Sequence, residues 1–383
     1  HFTRSAVAWP GHEIWCAGAL PIMASQQIIM VGRYALGRGV LDSLAEIVGE
    51  RVNGTDDRIT YLVDHFFRGK ELCERLPARD ADRLIFVDTT DEPSTEQVDA
   101  LTEEARGEDG APPVAVVGVG GGSTLDVAKA VSNMLANGGR AADYQGWDLV
   151  AKPGVFKVGV PTLSGTGAEA SRTCVMMNHA RNLKLGMNSD YSVFDRLVLD
   201  PDLTETVPRD QYFHSGMDTY IHCIESLGGR YRHPMADALS HQALALCRDV
   251  FTSDDMQGVE KREKLMVASY LGGSAIGNSF VGVVHPLSAG LSMVLGLHHC
   301  IANCIVMNAM DEFYPRQTDE FRRMAEIQGI EFPKGLCTDL GQDQFDSLYE
   351  ATIVHEKPLA NALGDDFRQI LTRDKVADVF RRM

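Results

Sequence analysis

From Gln27 to Asp202, short apolar runs alternate with longer stretches whose apolar positions recur at the helical period. The runs are "RITYLVD", "RLIFVD", "PVAVVGV", "FKVGVP" and "RLVLDP", rich in β-branched and aromatic residues and bounded by Asp, Gly or Pro. This alternation predicts a parallel, doubly wound sheet with helices on its faces. After Asp202 the strand pattern stops. Arg209 to Leu227, His233 to Phe251, Glu260 to Gly272 and the stretches after His285 and His299 read as helices. Pro201 and Pro208 mark the joint, and Pro208 suits the first turn of the helix that follows. The expected organisation is an α/β domain over residues 1–203 and an all-α domain over residues 204–383.

The opening "HFTRSAVAWPGHEIW" shows no periodicity and begins with His1 rather than Met, so residues 1–25 are set apart as an extension of uncertain origin. The segment from Glu13 to Val31 is mildly apolar, but Glu13, Gln26 and Gln27 interrupt it and it lacks a basic flank. Neither a signal peptide nor a transmembrane span is expected there.

A chain of 383 residues has room for two ordinary cores, and 44% hydrophobic with 23% charged residues argues against disorder. Acidic residues outnumber basic ones by 53 to 36, for a net charge of -17. That balance repels phosphate backbones and anionic lipid, so neither nucleic acid nor membrane is an expected partner. Eight cysteines scattered through apolar stretches read as reduced, buried thiols, which points to the cytoplasm.

The segment "VAVVGVGGGSTLDVAKAV" runs from a strand through Gly120, Gly121 and Gly122 into a helix opened by Ser123. Glycines let the backbone approach an anion, and the first helical turn offers unpaired N–H groups and a positive dipole end. Ser123 and Asp126 have the spacing of a capping box. The run is neither G-x-G-x-x-G nor a Walker loop, and a tight turn packing helix on strand would use the same residues. A second loop, "VPTLSGTGAEAS", places hydroxyls at Thr162, Ser164 and Thr166 among glycines, which suits ribose and nicotinamide. Asp64, at the end of "YLVD", is placed to accept hydrogen bonds from ribose hydroxyls and to repel a 2′-phosphate, favouring NAD.

In "FHSGMDTYIHCIESLGG", Asp218 and His222 are four residues apart and share one helix face, where they could hold one ion. Most such pairs are only hydrogen-bond partners. His285 and His299 strengthen the case, although fourteen residues of straight helix would hold them roughly 21 Å apart. Gly296 is the natural stop that would let the chain fold back and bring them together. One carboxylate with three imidazoles suits Zn2+, Fe2+ or Mn2+. Cys300 and Cys304 read as a buried helix face.

Taken jointly, "LGRG", "GVGGGSTLDVAKA", "VPTLSGTGAEAS", "LVLDPDL", "GMDTYIHCIES" and "HPLSAGLSMVLGLHHCIAN" resemble the iron-type, group III metal-dependent alcohol dehydrogenases, whose relatives include dehydroquinate synthase. The resemblance implies an α/β dinucleotide-binding domain with a parallel sheet followed by an all-α metal-binding domain. It implies Asp218, His222, His285 and His299 as metal ligands and Gly120, Gly121, Gly122 and Ser123 at the diphosphate, with Asp126 of the capping box among the cofactor-binding residues. It further implies Thr162, Ser164, Thr166 and Lys184 along the cofactor, Asp64 selecting NAD, and a homodimer. Many members carry a further histidine four residues after the metal histidine that corresponds to His285; here Ala289 stands there, and His298 is the substitute candidate for relaying a proton. The segments "YQGWDLV" and "LGMNSDYSVFD" are most similar to a branch that oxidises the terminal alcohol of the acidic sugar 3-deoxy-D-manno-octulosonate. Arg172, Arg181 and Lys184 are then candidates for the substrate carboxylate, with Tyr144 and Trp147 for stacking. The alternatives are dehydrogenation of another alcohol or polyol, a sugar-phosphate cyclase of the dehydroquinate synthase type, and a non-catalytic relative.

Overall fold

A computed structural model describes residues 27–107 and 110–383. The N-terminal extension, Cys16 and most of the segment beginning at Glu13 lie outside the described residues. In chain order the first half holds β1 (Arg33–Leu36), α1 (Leu44–Gly49), β2 (Ile59–Asp64), α2 (Glu71–Arg75), β3 (Arg83–Val87) and α3 (Thr95–Ala105). It continues through β4 (Ala115–Gly120), α4 (Gly122–Asn137), β5 (Gly146–Trp147), β6 (Phe156–Pro161), β7 (Thr173–Asn178), β8 (Leu183–Asn188) and β9 (Arg196–Leu199). The main sheet has the order β1-β9-β6-β4-β2-β3, with every pairing parallel. Strands β2 and β4 are buried almost throughout, which is why their sequences are continuous apolar runs rather than alternating ones.

Chain order reverses between β2 and β4, since β3 lies outside β2 on one side and β6 outside β4 on the other. The carboxyl ends at such a reversal leave a crevice. Asp64 and Gly120, the last residues of β2 and β4, flank it.

Four strands were not legible as runs. β1 is short and largely exposed, β5 has two residues, and β7 and β8 form a half-buried antiparallel pair in a separate three-stranded sheet. β7 has alternating burial, so its methionines and polar residues do not make the unbroken apolar run that marks the buried parallel strands.

Beyond Leu199, the described residues form helices and connections only. The helices are α5 (Arg209–Gly228), α6 (Pro234–Phe251), α7 (Val259–Ser279), α8 (Val284–Leu295), α9 (His299–Met307), α10 (Pro315–Ile327), α11 (Gln342–Ile353) and α12 (Glu356–Leu363), with two short ones after them. α7 runs past the expected end at Gly272 to Ser279 because Gly273, Ser274, Ala275 and Gly277 keep packing inward. Pro208 is the cap of α5 rather than its first residue. One large core lies among these helices, and two smaller ones lie on the faces of the sheet. Among the described residues no single helix is long and apolar enough to cross a membrane.

Candidate active site

Helix α5 is buried along most of its length from Tyr212 to Ser226, which takes the carboxylates of Asp218 and Glu225 entirely out of water. Buried carboxylates require partners. Asp218 Oδ1 accepts a hydrogen bond from Asn303 Nδ2 at 2.7 Å. Its oxygens lie 3.4 Å from His285 Nε2, 3.5 Å from His299 Nε2 and 3.6 Å from His222 Nε2. Asp218, His285 and His299 each offer a ligand atom within 4.8 Å of the others, a group able to hold a metal ion. His222 lies outside that group of three. It sits one turn along α5 from Asp218, its ring stacked on His285 at 4.7 Å with 14° between planes.

The donor set fits a cation. Asn303 Nδ2 lies 3.2 Å from His285 Nε2 and 3.1 Å from His299 Nε2 as well as 2.7 Å from Asp218, so a single N–H donor group stands among the converging acceptors. The Nδ1 atoms of His222 and His299 are buried without a partner. Burial alone would raise the Asp218 carboxyl, but His222, His299 and His285 hold it well below the usual carboxylate range. Burial lowers His222 to about 4 against the pull of Asp218, and lowers His299 to about 4 in the same way. Burial therefore favours the neutral form of these two rings, the form that binds a metal, whereas His285, buried but paired with Glu225 and Asp218, is raised to about 9.

The two later histidines meet because Gly296 adopts the left-handed conformation, φ 68°, at the end of α8. The chain folds back through Leu297 and His298 into α9, and the His285 and His299 rings come to 5.4 Å. This is the turn that the fourteen-residue spacing demanded.

Glu225 escaped the sequence reading. It stands seven residues after Asp218 on the same helical face, and its Oε1 accepts from Val284 N at 2.5 Å while its Oε2 pairs with His285 Nδ1. That contact fixes the tautomer and aims Nε2 at the metal position. Glu225→Gln is expected to weaken metal affinity about 10- to 100-fold. Competition against a chelator measures it, and an unchanged affinity would remove Glu225 from this role.

On the nucleotide side the capping expectation needs correction. Helix α4 starts at Gly122 with Gly121 as its cap, and no side chain caps it. Ser123 is already helical, so it cannot accept from the N–H groups it was expected to satisfy. Asp126 turns inward, 2.9 Å from Lys129 Nζ and accepting from Val175 N at 2.9 Å, and burial raises its pKa. The glycines have packing reasons as well: a Cβ on Gly120 would lie 2.6 Å from Thr124, and one on Gly122 would lie 2.7 Å from Thr166 Oγ1. Asp64 accepts from Phe66 N at 2.9 Å and Thr89 Oγ1 at 3.1 Å and remains on the cleft wall.

One cleft of about 1260 Å3 joins these parts. Its wall includes Asp64, Gly121, Gly122, Ser123, Asp126 and Thr166 at one end, and Lys184, His222, His285 and His299 further along. Thr162 and Ser164 are buried and do not line it; Leu163 and Thr166 do. Lys184 Nζ lies 3.3 Å from Glu92, whose Oε1 accepts from His299 N at 2.7 Å, so one carboxylate ties the β8 lysine to the start of α9. His298 is exposed on the wall and makes no capping hydrogen bond, whereas Ala289 lines the same cleft. Cys304 is buried as expected. Cys300 instead lines the cleft, with Sγ 3.7 Å from Asp218 Oδ2.

One sequence-derived contact for an acidic substrate is already committed elsewhere, and a second lies away from the cleft. Arg172 pairs with Asp148 and, at 2.9 Å, with Asp190. Arg181 lies in an exposed turn, and neither it nor Tyr144 lines the cleft, although Trp147 does.

Residues 32–201 match the model of the iron-containing alcohol dehydrogenases, and residues 212–348 match that of the family's C-terminal region. The chain belongs to the iron-containing alcohol dehydrogenase family. It is thus an oxidoreductase of the NAD- and metal-dependent kind, acting on alcohols or aldehydes. It is 30% identical over 311 residues to an NAD-dependent methanol dehydrogenase of Bacillus methanolicus, covering 79% of this chain and 80% of that one. It is 32% identical over 239 residues to a sulfoacetaldehyde reductase of Bilophila wadsworthia, covering 61% of this chain and 60% of that one. Among solved structures, a sulfoacetaldehyde reductase from Bifidobacterium kashiwanohense in complex with NAD+ superposes with a TM-score of 0.77 at 21% identity, covering 94% of this chain and 98% of that one. An iron-containing alcohol dehydrogenase from Thermotoga maritima does so with a TM-score of 0.77 at 22% identity, over 93% and 99% of the two chains. These structural likenesses bear out the expected fold: a parallel-sheet α/β half followed by a helical half.

Proposed function

We propose that this dehydrogenase oxidises a primary alcohol to an aldehyde in the cleft between the β4–α4 turn and α5, and that its alcohol is the terminal hydroxyl of 3-deoxy-D-manno-octulosonate. The observation that carries the reaction is the convergence of His285 and His299, on the wall that also holds Gly121, Gly122 and Ser123, with the buried carboxylate of Asp218 behind them. The sugar rests on the likeness of "YQGWDLV" and "LGMNSDYSVFD", and on a cleft large enough for an eight-carbon acid beside a dinucleotide.

Asp218, His222, His285 and His299 would hold a divalent cation, which would supply Lewis-acid charge, and NAD would supply the hydride acceptor. The chain does the rest. N–H groups at Gly121, Gly122 and Ser123, at the positive end of α4, would hold the diphosphate. The Asp64 carboxylate takes the ribose hydroxyls, and Thr166 and Lys184 flank the path toward the metal ligands. Glu225 and Glu92 hold His285 and His299 in place, so orientation is set before substrate arrives.

The hydroxyl proton must reach water, and the Ala289 methyl group cannot carry it. His298, exposed on the cleft wall beside His299, is our assignment for that relay. His298→Ala is expected to lower kcat about 100-fold, with partial rescue by added imidazole. An unaltered kcat would show that the proton leaves by another route.

The substrate test is NADH formation by metal-loaded enzyme given NAD and either the acidic sugar or simple alcohols. NADH from the sugar supports the full reading, whereas NADH from simple alcohols alone keeps the reaction and discards the sugar.

A further inference from the structure

The chain has a second cluster on the cleft wall beyond the metal ligands, where α12, the end of α7 and β5 come together. Lys357 stands in the first turn of α12 with its Nζ 3.9 Å from the centre of the Trp147 ring and 4.0 Å from that of Phe280. Trp147 and Phe280 meet edge to face at 5.2 Å, and Tyr231 meets Phe280 at 5.5 Å. All four side chains line the cleft. The ammonium therefore lies against two aromatic rings on a wall that faces the substrate space.

The backbone around these rings is held in an uncommon shape. Phe280 takes a left-handed conformation, φ 65°, which a bulky non-glycine residue keeps only where its surroundings enforce it. Asn361, one turn after Lys357 on α12, clamps that turn: its Nδ2 donates to Ser279 O at 3.0 Å and Val281 O at 3.0 Å. The same residue accepts Tyr231 N on its Oδ1 at 3.0 Å and Arg230 N on its backbone oxygen at 2.9 Å. One asparagine thus fixes Lys357, Phe280 and the Arg230–Tyr231 pair relative to one another.

Charge pairing separates Lys357 from its neighbours. Arg172 has Asp148 and Asp190, and Arg230 has Asp365 at 2.8 Å. Lys357 has no carboxylate within ion-pair distance among the described residues, and it sits at a helix start, where the dipole disfavours a cation. Beside it, His355 lines the same wall, its Nε2 buried and without a partner. A half-buried cation and an unpaired imidazole nitrogen on a substrate wall form a site for an anionic, oxygen-rich group.

We infer that Lys357 binds the carboxylate of the substrate, with His355 donating to or accepting from a neighbouring oxygen, so that the enzyme selects alcohols bearing an acid group remote from the oxidised carbon. This rests on the alcohol dehydrogenase reading and assigns a residue for its substrate class. Position along α5 supports it: Asp218 and His222 occupy the middle of the helix, and Arg230 and Tyr231 follow its C-terminal end, while Ser215 toward its other end faces the nucleotide loop. The acid would then lie on the far side of the metal ligands from the dinucleotide.

The test compares kcat/KM of metal-loaded enzyme with NAD for the acidic sugar against its methyl ester, and for an ω-hydroxycarboxylate against its amide. Wild type is expected to prefer the charged member of each pair at least about tenfold, and Lys357→Gln to lose that preference, mainly through KM; a tenfold loss corresponds to ~1.4 kcal/mol. Lys357→Arg should keep most of it. A preference that is absent in wild type or unmoved in Lys357→Gln overturns the assignment. Should no alcohol yield NADH, the oxidation reading fails, and calorimetric binding of the acidic sugar to the enzyme–NADH complex still decides this one. Binding weakened tenfold in Lys357→Gln sustains the site, and equal binding in the two proteins overturns it.

Discussion

Asp218→Asn is expected to yield a folded protein that binds NAD but retains no metal and turns over on the order of 1000-fold more slowly. The change removes one negative charge and almost no volume, so the packing of α5 should survive. What is lost is the carboxylate that faces all three imidazoles, at a position closed to solvent. Metal content, thermal unfolding and a fluorescence titration with NADH separate the possibilities. A variant that retains both metal and rate would show that the imidazoles suffice and that the buried carboxylate has another purpose.

Gly165→Ala should be the most damaging glycine-to-alanine change among the described residues. A Cβ at Gly165 would lie 1.8 Å from the carbonyl oxygen of Ser215 on α5, and its φ of +136° is one that alanine avoids. The residue is also tied on both sides, its N–H donating to Ser269 Oγ at 2.8 Å and its oxygen accepting from Thr219 Oγ1 at 2.7 Å. Neither backbone can move without breaking the contact of the nucleotide loop with the helix that carries Asp218. We expect a loss exceeding about 4 kcal/mol, enough to leave little folded protein. Gly49→Ala, which meets nothing within 4 Å, is the control and should change stability by no more than ~0.5 kcal/mol. Equal melting of the two variants would mean that the loop and α5 are not tightly packed.

What could be seen in the sequence followed from how local each signal was. The parallel strands β2, β3, β4, β6 and β9, buried except at the edge strand β3, declared themselves as apolar runs, while the half-buried β7–β8 pair, carrying mixed residues on a separate sheet, did not. Asp218 and His222 were visible as a one-turn pair, and His285 with His299 through the glycine that had to bend the chain between them. Glu225, Glu92 and Asn303 were not, because their meaning comes from partners far away in sequence: Glu92 reaches His299 across 207 positions. The cap of α4 lies two residues before Ser123, since a Ser–x–x–Asp spacing states only that a box could form, and here Gly121 takes the cap position. Lys357 had no motif around it at all; only the fold brings the end of α7 and the strand at Trp147 to its side.

The central claim is that turnover needs one metal ion held at Asp218, His222, His285 and His299. The most direct measurement is metal content per chain, by mass spectrometry, taken alongside NADH formation from NAD and a primary alcohol as chelator-stripped protein is titrated with Zn2+, Fe2+ or Mn2+. The account predicts that activity rises in proportion to bound metal and saturates at about one ion per chain. Full turnover by the metal-free protein would contradict it.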